Sequence, residues 1–170
     1  MASRGSILLV FFMLLPVSVQ GHNMGKPVPI GYTGSDLPQA HLAAQVVACY
    51  FGEQLGREVE LVRSDSLARC VEWVRNREFP MAVVPAGAAE DLPEGVRMLG
   101  GVLGAPGRSF VLVMGSDARQ KLEFSLVQRY MDTLSGRLGP ADWEKADERV
   151  QAGEGVRGVA LDMLREKDLI

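Results

Sequence analysis

The chain has few of the side chains on which catalysis and metal binding usually depend. It contains two cysteines and two histidines, and aromatic residues make up 6% of its 170 positions. Neither His22 nor His41 has a cysteine or carboxylate at the spacing of a metal-ligand motif. No nucleophile stands at a recognisable spacing from an acid or base. We therefore expect a protein that is not an enzyme, with no catalytic residues, no metal and no cofactor.

The sequence also lacks clusters of basic residues. Its 18 lysines and arginines are outnumbered by 21 acidic residues, which gives a net charge of -3. Proteins that bind nucleic acid or anionic membrane surfaces usually concentrate lysine and arginine on one face or along one segment. We therefore expect no nucleic-acid partner.

A hydrophobic run long enough to cross a bilayer is missing as well. The N-terminal apolar stretch Ile7 to Leu15 is far shorter than the roughly 20 residues of a membrane-spanning helix. A positive charge precedes it, and Pro16 and small residues up to Gly21 follow, which is typical of a secretory signal peptide. We predict that residues 1–21 are cleaved, releasing a periplasmic protein with no stable membrane insertion. The alternative is an uncleaved anchor, which the loss of apolar character after Pro16 disfavours.

The segment 26–170 has the length expected of one domain with one hydrophobic core. In the first half, alternation or continuous apolar character predicts strands, and apolar residues at three- and four-residue steps predict helices. The predicted order is strand, helix, strand, helix, strand, at Lys26–Tyr32, Leu37–Leu55, Glu58–Val62, Leu67–Val74 and Pro80–Pro85. This order is typical of a parallel sheet with right-handed crossovers.

The second half has a different pattern. Two apolar strands, separated by a turn-forming cluster, predict a hairpin-like connection, and Gly100-Gly101 predicts a bulge in its first strand. Helical periodicity follows, then a charge-rich solvated segment and a terminal helix. These segments are Val96–Leu103, Ser109–Met114, Asp117–Leu134, Gly139–Glu154 and Val156–Leu164. The predicted fold class is α/β, with three layers, a mostly parallel sheet and helices on both faces.

The two cysteines belong to different predicted helices, Cys49 to the first and Cys70 to the second. If the second and third strands flank the first, right-handed crossovers place these helices on opposite faces of the sheet. The pattern therefore favours two free thiols. A disulfide is the alternative, and it would require the two Cα atoms to lie within about 7 Å.

Segments at both ends of the domain carry a family resemblance. They are Ile30-Gly31-Tyr32, the helix ending at Leu55-Gly56 before Glu58–Val62, and the tail Val156–Ile170. In these segments the chain resembles the substrate-binding domain of glycine betaine and other quaternary-ammonium ABC importers, a type II periplasmic binding protein. The resemblance implies solute binding in the periplasm, a quaternary amine or similar ligand, and an ABC permease as partner.

The chain departs from that family in two respects. Family members hold the trimethylammonium group in a cage of aromatic rings, through cation–π attraction. The loops that commonly supply those rings read Thr33–Asp36 and Ala86–Ala89 here, and Tyr32 is the only aromatic residue near them. The chain is also too short for two lobes, so it resembles a single lobe.

In a parallel sheet, ligands meet the loops at the carboxyl ends of the strands. The predicted ligand-binding residues are therefore Tyr32, Thr33, Gly34, Ser35, Asp36, Ser64, Asp65, Ala86 and Gly87. Helix capping is the alternative role for Asp36, Ser64 and Ser66. Trp73 and Trp143 are predicted to be local packing anchors.

The sequence thus favours a binding protein that recognises a small ligand or a partner at its strand-end loops. The alternative is a single-lobe interaction or accessory protein that has lost solute binding, because a lone lobe exposes surface that its second lobe would cover. A third possibility, intermediate between solute binding and the interaction role, is a homodimer in which two copies together form the ligand cleft of a two-lobed protein.

Overall fold

A computed structural model describes residues 26–33, 38–121 and 124–170, so the predicted signal peptide lies outside the described residues. The strands are β1 (Val28–Thr33), β2 (Val59–Ser64), β3 (Met81–Pro85), β4 (Val96–Ala105) and β5 (Arg108–Gly115). The helices are α1 (Pro38–Leu55), α2 (Leu67–Arg75), α3 (Ser116–Gln120), α4 (Val127–Arg137), α5 (Pro140–Gln151) and α6 (Val156–Glu166). A 3-10 helix spans Ala86–Asp91.

The strands form one sheet in the order β2-β1-β3-β5-β4. β1 pairs in parallel with both β2 and β3, whereas β5 pairs antiparallel with β3 and β4. Four of these five strands therefore run in the same direction, and β5 runs against them. Helices cover both faces, which confirms the predicted α/β fold class.

The two faces of the sheet are covered unequally. On one, which we call the large face, side chains such as Val83 and Leu112 pack under helices α1, α4, α5 and α6. On the other, the small face, Ala82 and Val113 pack under α2 and the 3-10 helix. The alternating residues of β3 and β5 thus enter two separate apolar clusters, as expected for central strands that are buried on both sides.

β4 and β5 form the predicted hairpin, with Ala105 paired to Arg108 across a two-residue turn. The register shifts between Leu99 and Leu103, which confirms the bulge predicted at Gly100-Gly101. Gly100 has a φ of +67°, in the left-handed region that glycine adopts without steric cost.

The single helix predicted over Asp117–Leu134 is wrong. The structure has α3 and α4 in that region, and the chain turns between them, with the Phe124 N–H donating to the Lys121 carbonyl at 3.0 Å. The turn buries the Phe124 side chain in the large-face cluster, whereas Leu126, an apolar residue within the range predicted as one helix, is 48% exposed. Tertiary burial of one aromatic ring therefore overrides the local helical periodicity.

The two cysteines are free and lie on opposite faces, as predicted. Cys49 is half-buried and packs against the large-face cluster, and Cys70 is fully buried in the small-face cluster. Burial raises the pKa of the Cys70 thiol to about 11, against a smaller lowering by its hydrogen bond with Ser64.

We expect N-ethylmaleimide to leave Cys70 unmodified in the native protein at neutral pH, because the thiolate is the reactive form and burial disfavours it. Unfolding without a reductant should expose two reactive thiols per chain, which mass spectrometry can count. The Cys49→Ala variant should show no native labelling, and Cys70→Ala should label like the parent. Native labelling of the Cys49→Ala variant would contradict the burial of Cys70.

Candidate functional site

The predicted ligand-binding residues that the structure describes lie along one edge of the sheet. We call the surface formed by these residues, at the carboxyl ends of β1, β2 and β3, the strand-end surface. Its members are Tyr32, Thr33, Ser64, Asp65, Ala86 and Gly87. Thr33 and Ser64 are register partners on adjacent parallel strands. Gly34, Ser35 and Asp36 lie outside the described residues.

The strand order gives this edge a topological switch point. β1 lies between β2 and β3, so the connection that follows β1 leaves towards one side of the sheet and the chain returns on the other. Open α/β sheets bind ligands in the crevice that such a reversal leaves outside the carboxyl ends of the strands. In this sheet the rule points to the space between the end of β1, at Thr33, which is buried, and the end of β3, at Pro85.

Tyr32 is covered by a neighbouring ring. Its side chain is 8% exposed and belongs to the large-face cluster. The imidazole of His41, on α1, stacks against it with the ring centroids 5.3 Å apart and the planes 14° from parallel. The Tyr32 ring is therefore buried under His41 and packed into the core.

His41 is half-buried, and two effects lower its pKa below the usual 6.5. The larger effect is burial, which disfavours the charged imidazolium, and the smaller is the positive charge of Arg63 on β2. Both effects favour neutral imidazole in the folded protein.

This lowered pKa predicts a pH dependence of stability. In the unfolded chain His41 is protonated as the pH falls through about 6.5, whereas in the folded protein protonation requires a lower pH. Protonation therefore favours the unfolded chain, and the His41 contribution to stability is lost as the pH falls below 6.5. The melting temperature of the parent should fall between about pH 7.5 and about pH 5.5. His41→Phe, which keeps a ring against Tyr32 but cannot titrate, should show a smaller fall. An equal fall in both proteins would contradict this assignment.

Ser64, the last residue of β2, and Ser66, two residues later, make local hydrogen bonds. The buried Ser64 hydroxyl donates to the Ser66 carbonyl oxygen at 2.9 Å and accepts the Ser66 N–H at 3.3 Å. The Ser66 hydroxyl accepts the Arg69 N–H at 3.2 Å and so caps α2. These bonds confirm the capping alternative for Ser66 and hold the Ser64 hydroxyl in place at the end of β2. Asp65, between them, is exposed.

The strand-end surface is open beyond β3. Ala86 and Gly87 begin the 3-10 helix, where Ala86 is half-buried and Gly87 is exposed. A Cβ built on Gly87 would meet no heavy atom within 4 Å. A larger side chain can therefore be introduced at Gly87 without a clash, directly beside the crevice.

A concavity lies at the opposite edge of the sheet, where β1 and β3 begin and β5 ends. This cleft, which we call the amino-edge cleft, has a volume of about 870 Å³. Its lining includes Val28, Val74, Phe79, Ala118, Lys121 and Phe124. This cleft was not predicted, because its lining comes from loops and element ends that are remote along the chain. The proline-flanked strand starts at Pro27, Pro29 and Pro80 were the one visible sign of this edge.

A polar cluster joins the hairpin to the helical layer. The carboxylate of Asp147, on α5, accepts from Gln39 at 2.8 and 2.9 Å, from Arg108 at 3.1 Å and from Gln151 at 2.9 Å. These donors come from α1, β5 and α5 itself. Because both carboxylate oxygens already accept hydrogen bonds, Asp147 has a structural role and positions the hairpin against the helices.

Among the described residues, no group of three or more histidine, cysteine, aspartate or glutamate side chains is placed to hold a metal ion. Within the same residues, no helix has both the length and the apolar character needed to cross a membrane. No protein-family model matches the sequence, and no curated protein matches it.

Proposed function

We propose that this chain is a binding protein of the periplasmic solute-binding type, related to the substrate-binding domains of glycine betaine and other quaternary-amine ABC importers. In this proposal it recognises a small quaternary amine or similar solute at the strand-end surface and delivers it to an ABC permease. The observation that carries the proposal is the strand order, in which β1 lies between β2 and β3, because open α/β sheets bind ligands beside such a switch point, at the carboxyl ends of the strands.

Two further features support small-solute recognition at this edge. Backbone groups at the end of β3 are approachable, because Gly87 is exposed and carries no side chain. Asp65 is also exposed at the end of β2, where its carboxylate offers a negative charge to a cationic solute. Charge attraction would then take the place of the aromatic cage, since the Tyr32 ring is stacked under His41.

Isothermal titration of the full chain with glycine betaine, choline, carnitine and proline betaine tests this function. At least one of these solutes should give saturable heat and raise the melting temperature at millimolar concentration. Gly87→Gln, which extends a polar side chain into the crevice, should weaken that binding by about tenfold or more.

Gly136→Gln is the matched control, because Gly136 is also exposed and a Cβ there would meet nothing within 4 Å, but it lies on α4. Its affinity should equal that of the parent. Absence of heat and of any thermal shift with all four solutes would overturn the proposal.

One observation favours the interaction role as a second candidate. Met98 and Val102 lie on β4, the outermost strand of the sheet, and are 45% and 50% exposed. Met98 pairs with Val113 of the small-face cluster, so its side chain extends that cluster beyond the cover of α2. An exposed apolar extension of this kind is typical of a surface that contacts another chain.

Multi-angle light scattering separates the two candidates. The interaction role predicts a complex, with a second copy or with a protein captured from periplasmic extract, that Met98→Lys with Val102→Lys abolishes. A strict monomer, together with empty captures, would count against it and leave solute binding unaffected.

A further inference from the structure

The amino-edge cleft has the size of a small-molecule site. Its volume of about 870 Å³ falls within the range of ligand pockets, roughly 300 to 1,000 Å³. It lies where β1 and β3 begin, whereas the strand-end surface lies where these strands end. A ligand bound here would therefore not compete with one in the crevice.

The floor of the cleft is apolar. Val28, Val74, Ala118 and Phe124 line it and are buried, with exposures of 8% or less. Phe79, also in the lining, packs against Trp73 with ring centroids 4.6 Å apart. This floor suits the apolar body of a ligand, because burying apolar surface against it is favourable.

The rim of the cleft is basic, although the whole chain is acidic. Among the residues that the structure describes, five basic and three acidic side chains line it, whereas the chain carries a net charge of -3. They are Lys26, Arg57, Arg75, Arg77 and Lys121, with Glu78, Glu94 and Asp117. Asp117 is already paired with Arg77 at 2.6 Å. In the described part of the chain, no ion pair engages Arg75 or Lys121.

We propose that the amino-edge cleft binds an amphipathic organic anion, with its apolar body on the Val74, Phe79 and Phe124 floor and its acid group at Arg75 and Lys121. Charge complementarity selects the anion, since the described lining residues carry two more positive than negative side chains. The apolar floor excludes small inorganic anions as the preferred ligand, because they would leave it uncovered.

Three naphthalene probes of matched shape test the proposal by calorimetry on the full chain. 1-Naphthylacetate is anionic, 1-naphthylacetamide is neutral and 1-naphthylmethylamine is cationic. The anion should bind at least about tenfold more tightly than either of the other two, and its affinity should fall with added salt. Quenching of Trp73 fluorescence should accompany binding, because Trp73 packs against Phe79.

Variants of the rim give opposite expectations. Arg75→Glu with Lys121→Glu should remove the preference for the anion, whereas Glu94→Gln should strengthen anion binding. Arg129→Glu, at an exposed position on α4, is the matched charge-reversal control and should bind like the parent. All four positions are exposed, so the variants should fold with melting temperatures near that of the parent.

Equal affinity for the acid and its amide would overturn the proposal, as would anion binding that the double reversal leaves unchanged, or no binding of any probe. Gly87→Gln should not alter naphthylacetate binding, so failure here is distinguishable from failure of solute binding at the strand-end surface.

Discussion

Replacing Gly100 with alanine should lower the free energy of unfolding by about 3 kcal/mol, from two effects that add. A side chain at its φ of +67° is strained, and the new Cβ would collide with Met131 of α4, whose backbone carbonyl carbon would lie 3.1 Å away. Backbone cannot move aside as a flexible side chain can. Urea unfolding followed by circular dichroism measures the loss.

Gly136→Ala is the matched control for this substitution. Gly136 lies on α4, the helix that Gly100 approaches, but a Cβ there meets nothing within 4 Å. Alanine should therefore stabilise the protein there, by about 0.5 kcal/mol, because it restricts the unfolded chain. If Gly100→Ala unfolds at the same urea concentration as the parent, the close approach of α4 to β4 is wrong.

The second large effect is expected at Trp143. This side chain is 4% exposed in the large-face cluster, so Trp143→Ala should cost about 3–5 kcal/mol by leaving a cavity that its neighbours cannot fill. Trp73→Ala should cost less, because Trp73 is half-buried and packs mainly on Phe79 and under the Arg69 guanidinium.

Both tryptophan variants can be compared by the same urea titration, with Trp143→Phe as the conservative partner that should recover most of the loss. A smaller loss for Trp143→Ala than for Trp73→Ala would contradict the placement of Trp143 in the core. Because small domains are stable by only about 5–15 kcal/mol, the Trp143→Ala substitution should remove a large fraction of the total stability.

The fold class and the strand positions could be predicted because each depends on local patterns. The continuous apolar run of β3 indicated a strand buried on both faces, and Ala82 and Val83 indeed enter opposite clusters. The placement of the two cysteines on opposite faces followed from crossover handedness together with the assumption that the second and third strands flank the first. These inferences need only the order of elements and the sense of their connections.

The break between α3 and α4 could not be predicted, because it depends on where Phe124 finds a buried site. The amino-edge cleft was missed for a similar reason. Val28, Val74 and Ala118 come together only after β1, α2 and α3 are packed, so no sequence spacing links them. The strand-end residues were predicted as a group from topology, but their local bonds, such as that between Ser64 and Ser66, depend on atomic geometry.

The unequal covering of the sheet has a consequence for local opening. α2 has nine residues and contributes only Cys70 and Val74 to the fully buried core, whereas α1 contributes nine buried side chains. Separating α2 from the sheet therefore exposes far less apolar area than separating α1, and amide hydrogens in α2 should exchange with solvent sooner. The segment from Ser64 to Ser66 leads from the end of β2 into α2, so the strand-end surface can loosen there while the larger layer stays folded.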